Sequence, residues 1–282
     1  MIPDWAERCF VIGDSSRREI LSIDSLINFG FQPQIIAPFF FKEWPEFFSR
    51  ERSLAFNRRS LGLGELGCAR SHLECYSNFL NTNGKFALIF EDDAFITEDN
   101  FSDFIMALNE ICLVEPNLDE GGRVYSFYSE SFLIGRQDLE IGRFLKVFGE
   151  PSHAVCYVVN RLGAKILAAE NRNLDFQADW PRSTEMSYFL YSKKLVSHGS
   201  DLSSRHSFLE SERFRQVHSP LKRFLLAIKS ILFITYFLKR KYYVSKTEYF
   251  SRNVFPIIRW TILRVFSSRL ENWPRGARMT LW

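Results

Sequence analysis

Five apolar residues, Phe86 to Phe90 (FALIF), run without a break into three carboxylates, Glu91, Asp92 and Asp93. The turn signal Asn81-Thr82-Asn83-Gly84 stands just before them. A short apolar run bounded by a turn is the pattern of a buried strand. Segments with helical spacing flank it, Gly64 to Leu80 before and Asp103 to Val114 after. The same alternation recurs along the chain. Arg8 to Ile12 reads as a first strand, Gly13 to Ser16 as a turn and helix N-cap, and Arg17 to Asn28 as a helix closed by Gly30. Gln34 to Ala37, Val124 to Tyr128 and Ala154 to Val159 read as further strands, and Leu162 to Ala169 as a helix. Pro38 to Asn57 is aromatic, mixed in charge and without a clear period. Strands that alternate with helices predict an α/β layer built on a mostly parallel sheet.

Composition sets the outer bounds. A chain of 282 residues with 46% hydrophobic and 24% charged residues is not a disordered, collagen-like or coiled-coil sequence. Its length suits one large domain or two small ones. The formal charge of +3 hides an asymmetry. Ser219 to Trp282 holds 13 Lys/Arg against 2 Asp/Glu, so the acidic excess lies in residues 1–218. Within that tail, Leu221 to Leu238 is apolar but broken by Lys229, and Asn253 to Leu270 carries Arg259, Arg264 and Arg269 at five-residue intervals. Both stretches read as basic amphipathic helices whose cations snorkel while Phe, Leu, Ile and Trp enter a headgroup boundary. A helical hairpin packed on the domain is the plainer alternative. We expect residues 1–218 to form the globular domain and residues 219–282 a segment that associates with an anionic membrane surface. No nucleic-acid motif accompanies the charge, so no nucleic-acid partner is expected. The five cysteines, Cys9, Cys68, Cys75, Cys112 and Cys156, are odd in number and form no CxxC, which disfavours a disulfide framework or zinc ribbon. The N-terminal stretch reads as lacking a secretory leader, and no uncharged apolar run reaches the roughly 20 residues needed to span a bilayer.

The carboxylates at the strand end are the first candidates for chemistry. Ligands in open α/β sheets bind at the carboxyl ends of strands. In extended geometry Glu91 and Asp93 share a face and Asp92 points away. Adjacent carboxylates repel unless a cation neutralises them. Oxygen ligands favour a hard divalent ion such as Mn²⁺ or Mg²⁺ and leave coordination sites for a diphosphate. The triplet alone would equally serve as a solvated turn capping the next helix.

Upstream lies Leu63-Gly64-Glu65-Leu66-Gly67-Cys68-Ala69-Arg70-Ser71-His72. This Gly-x-x-Gly-Cys-x-x-Ser-His run, followed after one helix by ALIFEDDA, resembles glycosyltransferase family 25. That family comprises bacterial lipooligosaccharide β-galactosyltransferases and related procollagen galactosyltransferases. The resemblance covers roughly Arg8 to Ser207 and includes Gly163-Ala164-Lys165-Ile166-Leu167 and an aspartate, Asp179, before an aromatic residue. It implies a GT-A-like fold, a nucleotide-sugar donor and inverting transfer, with a hexose, galactose from UDP-galactose, passing to a lipooligosaccharide or other glycan acceptor.

Transfer of a sugar leaves a nucleoside diphosphate, so Glu91 and Asp93 with a bound Mn²⁺ or Mg²⁺ are expected to neutralise its charge. Inverting transfer also needs a carboxylate that takes the acceptor proton. Asp179 is the candidate base, with Trp180 beside it as a sugar-stacking ring, and Glu130 the alternative. An Asp at position 179 could also simply cap the following helix. Arg17 and Arg18 are candidates for the donor phosphates, and Arg58-Arg59 for an anionic acceptor. Gly64, Gly67 and Asp92 are grouped with the nucleotide contacts, although the two glycines would serve tight packing as well. His206 or His198 would complete the metal site, while His72 reads as a structural histidine. Two rival readings use the same residues: an inactive, membrane-peripheral binding protein, and a metal-dependent hydrolase or phosphotransferase. The cytoplasmic face of a bacterial inner membrane, where nucleotide sugars and reduced thiols coexist, is the expected location.

Overall fold

The central strand forms where the apolar run predicts it. In the computed structural model it is β3, Phe86–Glu91. Its side chains alternate between two cores. Phe86, Leu88 and Phe90 enter one, and Ala87 and Ile89 enter the other. Both faces are covered, which is why the sequence is continuously apolar rather than alternating. Each large side chain buried this way contributes about 1.5–3 kcal/mol. The structure describes residues 1–13, 21–49, 53, 61–115, 121–128, 136–141, 143–147, 153–178 and 185–198. The chain divides into two units, Met1–Val217 and His218–Trp282, and all described residues belong to the first. The basic tail of residues 219–282 therefore lies outside the described residues.

The described elements run as α1 (Asp4–Glu7), β1 (Phe10–Ile12), α2 (Leu21–Asn28), β2 (Gln34–Ile36), α3 (Leu63–Leu80), β3, β4 (Ala94–Phe95), α4 (Glu98–Val114) and β5 (Gly122–Ser126). Then come β6 (Arg136–Ile141), β7 (Phe144–Val147), β8 (Cys156–Asn160), α5 (Arg161–Glu170), β9 (Met186–Tyr191) and β10 (Ser197–His198). Eight strands form one sheet in the order β2-β1-β3-β8-β5-β9-β7-β6. Following the pairings across it, β7 and β8 run against the other six. The sheet is thus mostly parallel in strand direction and Rossmann-like. The expected α/β class holds, with the two reversed strands as an addition. The β6–β7 hairpin, β9 and the short β4–β10 pair were not anticipated by the sequence pattern.

Local chemistry fixes the helices. Glu65 folds back so that its Oε2 accepts from Gly62 N at 2.9 Å, capping α3. At the other end, Arg161 donates to Thr82 O and Leu80 O, each at 2.7 Å, and places a cation where the α3 carbonyls end. Gly30, at φ 88°, stops α2 in the left-handed region. Gly67 is buried in α3 where an added Cβ would collide with the Phe39 carbonyl, so the helix lies directly against that backbone.

Candidate active site at the carboxyl end of the central strand

β1 and β3 end level, with Ile12 paired to Glu91. The chain then turns through Asp92 and Asp93 before β4. Ser22, at the start of α2, donates its N–H and its Oγ–H to Asp92 O, both at 3.4 Å. Ser25 Oγ holds Ile96 O at 3.1 Å. Glu91 N donates to Val155 O at 2.9 Å. Strand end, turn and neighbouring helix therefore fix the carboxylates together.

The decisive partner arrives late in the sequence. β10 pairs antiparallel with β4 and sets His198 opposite Ala94. The imidazole Nε2 lies 3.0 Å from Asp93 Oδ2. Single ligand atoms of Glu91, Asp93 and His198 all fall within 4.8 Å of one another. Asp93 Oδ1 is buried and has no hydrogen-bond partner among the described residues. A buried acceptor without a donor is costly, and such groups in folded proteins require an explanation. Two carboxylates and an imidazole around an unsatisfied oxygen fit a divalent cation.

Behind Glu91 stands a buried polar row. His72 Nε2 is 3.3 Å from Glu91 Oε1, and its Nδ1 is 2.8 Å from Tyr157 Oη. Tyr157 Oη in turn lies 2.8 Å from Tyr76 Oη. Cys68 Sγ donates toward Glu91 Oε1 at 3.6 Å. Burial would raise the Glu91 carboxyl. The His72 hydrogen bond, the charges of His72 and His198 and the Cys68 contact outweigh it and hold the carboxyl below its ordinary value. Glu91 is therefore ionised at neutral pH. Burial pushes the Tyr157 hydroxyl well above its usual range, with Tyr76, Cys75 and Glu91 adding to the rise, so it stays a neutral donor. On the far side, the Tyr128 ring stands 5.8 Å from both His153 and His198, with Lys194 Nζ 4.4 Å over its face. His153 holds a left-handed backbone at φ 65°.

Of the residues singled out from sequence, the structure brings Glu91 and Asp93 together and supplies His198 as their imidazole. Asp92 is exposed in the turn itself. Gly64 lies in the first turn of α3, and Gly67 is occupied by its packing on Phe39. Arg17, Arg18, Arg58, Arg59, Glu130, Asp179, Trp180 and His206 lie outside the described residues. His72 is buried as a structural histidine would be, but it touches Glu91 directly. Its spacing from Cys68, four residues along one helix, was the available signal that both face the strand end. No helix among the described residues is long and apolar enough to cross a membrane.

Comparison with known proteins follows the same stretch of chain. Residues 45–180 match the model of glycosyltransferase family 25 (LPS biosynthesis protein). That span contains Cys68, His72, Glu91 and Asp93, whereas His198 lies beyond it. No curated protein matches the chain.

Proposed function

We propose that this chain, whose residues 45–180 match glycosyltransferase family 25, is a metal-dependent, inverting hexosyltransferase of that family that takes galactose from UDP-galactose. The acceptor in this reading is a lipooligosaccharide or another lipid-linked glycan. The observation that carries it is the convergence of Glu91, Asp93 and His198 around the unsatisfied Asp93 Oδ1 at the carboxyl end of β3.

Glu91, Asp93 and His198 would hold Mn²⁺ or Mg²⁺, which when bound supplies positive charge opposite the departing diphosphate. The rest of the work falls to the chain. Glu91 enters as a carboxylate because His72 and Cys68 hold its proton off and fix its orientation. Asp93 is steered by His198 through the β4–β10 pairing, so both groups are in place before the donor arrives. The carboxyl ends of β1 and β3, level at Ile12 and Glu91, are where the nucleotide would approach. Asp179 serves as the base that takes the acceptor hydroxyl proton, with Glu130 as its substitute. Arg17 and Arg18 lie in the segment that follows β1 and are suited to the donor phosphates. The positive excess of residues 219–282 would hold the enzyme on an anionic bilayer beside an amphipathic acceptor, on the cytoplasmic face of the inner membrane.

Purified full-length protein is tested with UDP-, GDP- and CMP-sugars in Mn²⁺, in Mg²⁺ and in chelator, beside Asp93→Ala. Metal-dependent turnover of one UDP-sugar, lost in the variant, is expected. Absence of nucleotide binding under every condition would overturn the reading in favour of an inactive binding protein. For the tail, a chain truncated after Pro220 is expected to leave the membrane fraction, and its retention there would contradict the anchoring role.

A further inference from the structure

We infer that Cys68, His72 and Glu91 form a second metal site, selective for a thiolate-seeking divalent ion of the Zn²⁺ class, which shares Glu91 with the carboxylate site. Cys68 and His72 are one helical turn apart on α3, and both turn toward the end of β3. Ligand atoms of the three residues lie within 4.8 Å of one another. The Cys68 Sγ to Glu91 Oε1 distance is 3.6 Å, and the His72 Nε2 to Glu91 Oε1 distance is 3.3 Å. Tetrahedral Zn²⁺, with Zn–S of about 2.3 Å and Zn–N and Zn–O of about 2.0–2.2 Å, requires ligand separations of roughly 3.3–3.6 Å. One Cys, one His and one carboxylate leave a fourth position for water. Oxygen-preferring ions have no use for the thiolate, so Cys68 separates the two sites by chemistry.

The second observation is the support behind His72. A ligating histidine usually donates its other ring N–H to a fixed oxygen. His72 is 2% exposed, and its Nδ1 faces Tyr157 Oη at 2.8 Å, with Tyr76 Oη a further 2.8 Å on. Without metal, Nε2–H donates to the Glu91 carboxylate. With metal, Nε2 offers its lone pair, Nδ1–H donates to Tyr157, and Tyr157 turns its proton to Tyr76. The Cys68 thiol loses its proton to solvent as the ion binds, so binding releases protons.

A consequence follows for the enzyme, and it rests on the donor-site reading above. A Zn²⁺ ion held by Cys68 and His72 withdraws Glu91 from the Mn²⁺ or Mg²⁺ position, so Zn²⁺ inhibits. The site itself is tested without activity, by titrating Co²⁺ into the reduced full-length chain. A thiolate-to-cobalt absorption band in the near ultraviolet is expected, lost in Cys68→Ser, kept in Asp93→Asn and Cys112→Ser, and bleached by equimolar Zn²⁺. Absence of the band in the wild type, or its persistence in Cys68→Ser, would overturn the site. Should Cys68→Ser fail to fold, alkylation of wild-type protein decides. Zn²⁺ is expected to slow modification of Cys68 at least tenfold while exposed Cys112 reacts unchanged, and equal rates at Cys68 would refute the proposal. A Co²⁺ band without any nucleotide-sugar turnover would leave the site standing and remove the enzymatic reading alone.

Discussion

The two ends of the sheet both hold clustered charge, yet they are finished differently. At the amino end of β3, Asn160 uses all of its side chain. Its Oδ1 accepts from Arg123 N at 2.9 Å and Gly163 N at 2.7 Å. Its Nδ2 donates to Glu115 Oε1 at 2.7 Å and Gly121 O at 2.9 Å. Arg123 pairs with Glu115 at 2.8 Å, and Tyr125 donates to the same carboxylate. At the carboxyl end, Asp93 has one oxygen on His198 and the other buried without a partner among the described residues. A satisfied polar cluster specifies and stabilises a fold, whereas an unsatisfied one at the carboxyl end of a strand marks where a ligand belongs. The difference assigns stability to one end and chemistry to the other.

Substitutions can break that contrast. Asp93→Ala is expected to lower donor turnover by about 10²–10³-fold, the loss typical of removing one electrostatic stabiliser. Its thermal midpoint should hardly fall, since the substitution removes a buried oxygen that has no partner among the described residues. A large loss of stability with activity retained would reverse the assignment of the two ends. Asn160→Ala should do the opposite. It strands the Arg123 and Gly163 N–H groups and costs roughly 2–4 kcal/mol in denaturant unfolding, while metal binding at neutral pH persists. Gly67→Ala should cost about 1–3 kcal/mol, because the new methyl meets backbone rather than a side chain that can swing away.

The smallest effect concerns acid. The Glu91 carboxyl is held low in the folded state, chiefly against burial by the His72 hydrogen bond. A depressed carboxyl adds stability that is present above the ordinary glutamate value and lost as pH falls through the folded one. His72→Phe removes the main opposing influence, so burial then raises the carboxyl. The loss of stability on acidification that Glu91 causes should therefore disappear in His72→Phe: its denaturant-unfolding free energy should fall less than the wild type's as pH is lowered from neutral through the ordinary glutamate range, and an equal fall in both would show that His72 does not hold Glu91.

The sequence made the carboxyl end legible in part. Phe86 to Phe90 declares itself because a strand covered on both faces must be continuously apolar, and the carboxylates follow it by adjacency. The helices were legible from spacing and from punctuation such as Gly30 and Asn81. His198 was flagged only as an alternative to His206, since its place depends on the β4–β10 pairing, a contact across about a hundred residues with no local pattern. Met186–Tyr191 and the β6–β7 hairpin escaped because they sit on the outer half of the sheet, where no helix–strand alternation announces them. Cys68 and His72 looked structural for a physical reason: both face the protein interior, and only the register of α3 against β3 shows that the interior they face is the back of Glu91.

The central claim is that the carboxyl end of β3 binds a divalent cation through Glu91, Asp93 and His198. Electron paramagnetic resonance of Mn²⁺ titrated into wild-type and Asp93→Asn protein, with and without UDP, tests it most directly. The account predicts that wild-type protein quenches the aqueous Mn²⁺ signal at one ion per chain, more tightly with UDP, and that Asp93→Asn loses this binding. An unquenched signal in the wild type, or equal quenching in the variant, would contradict it.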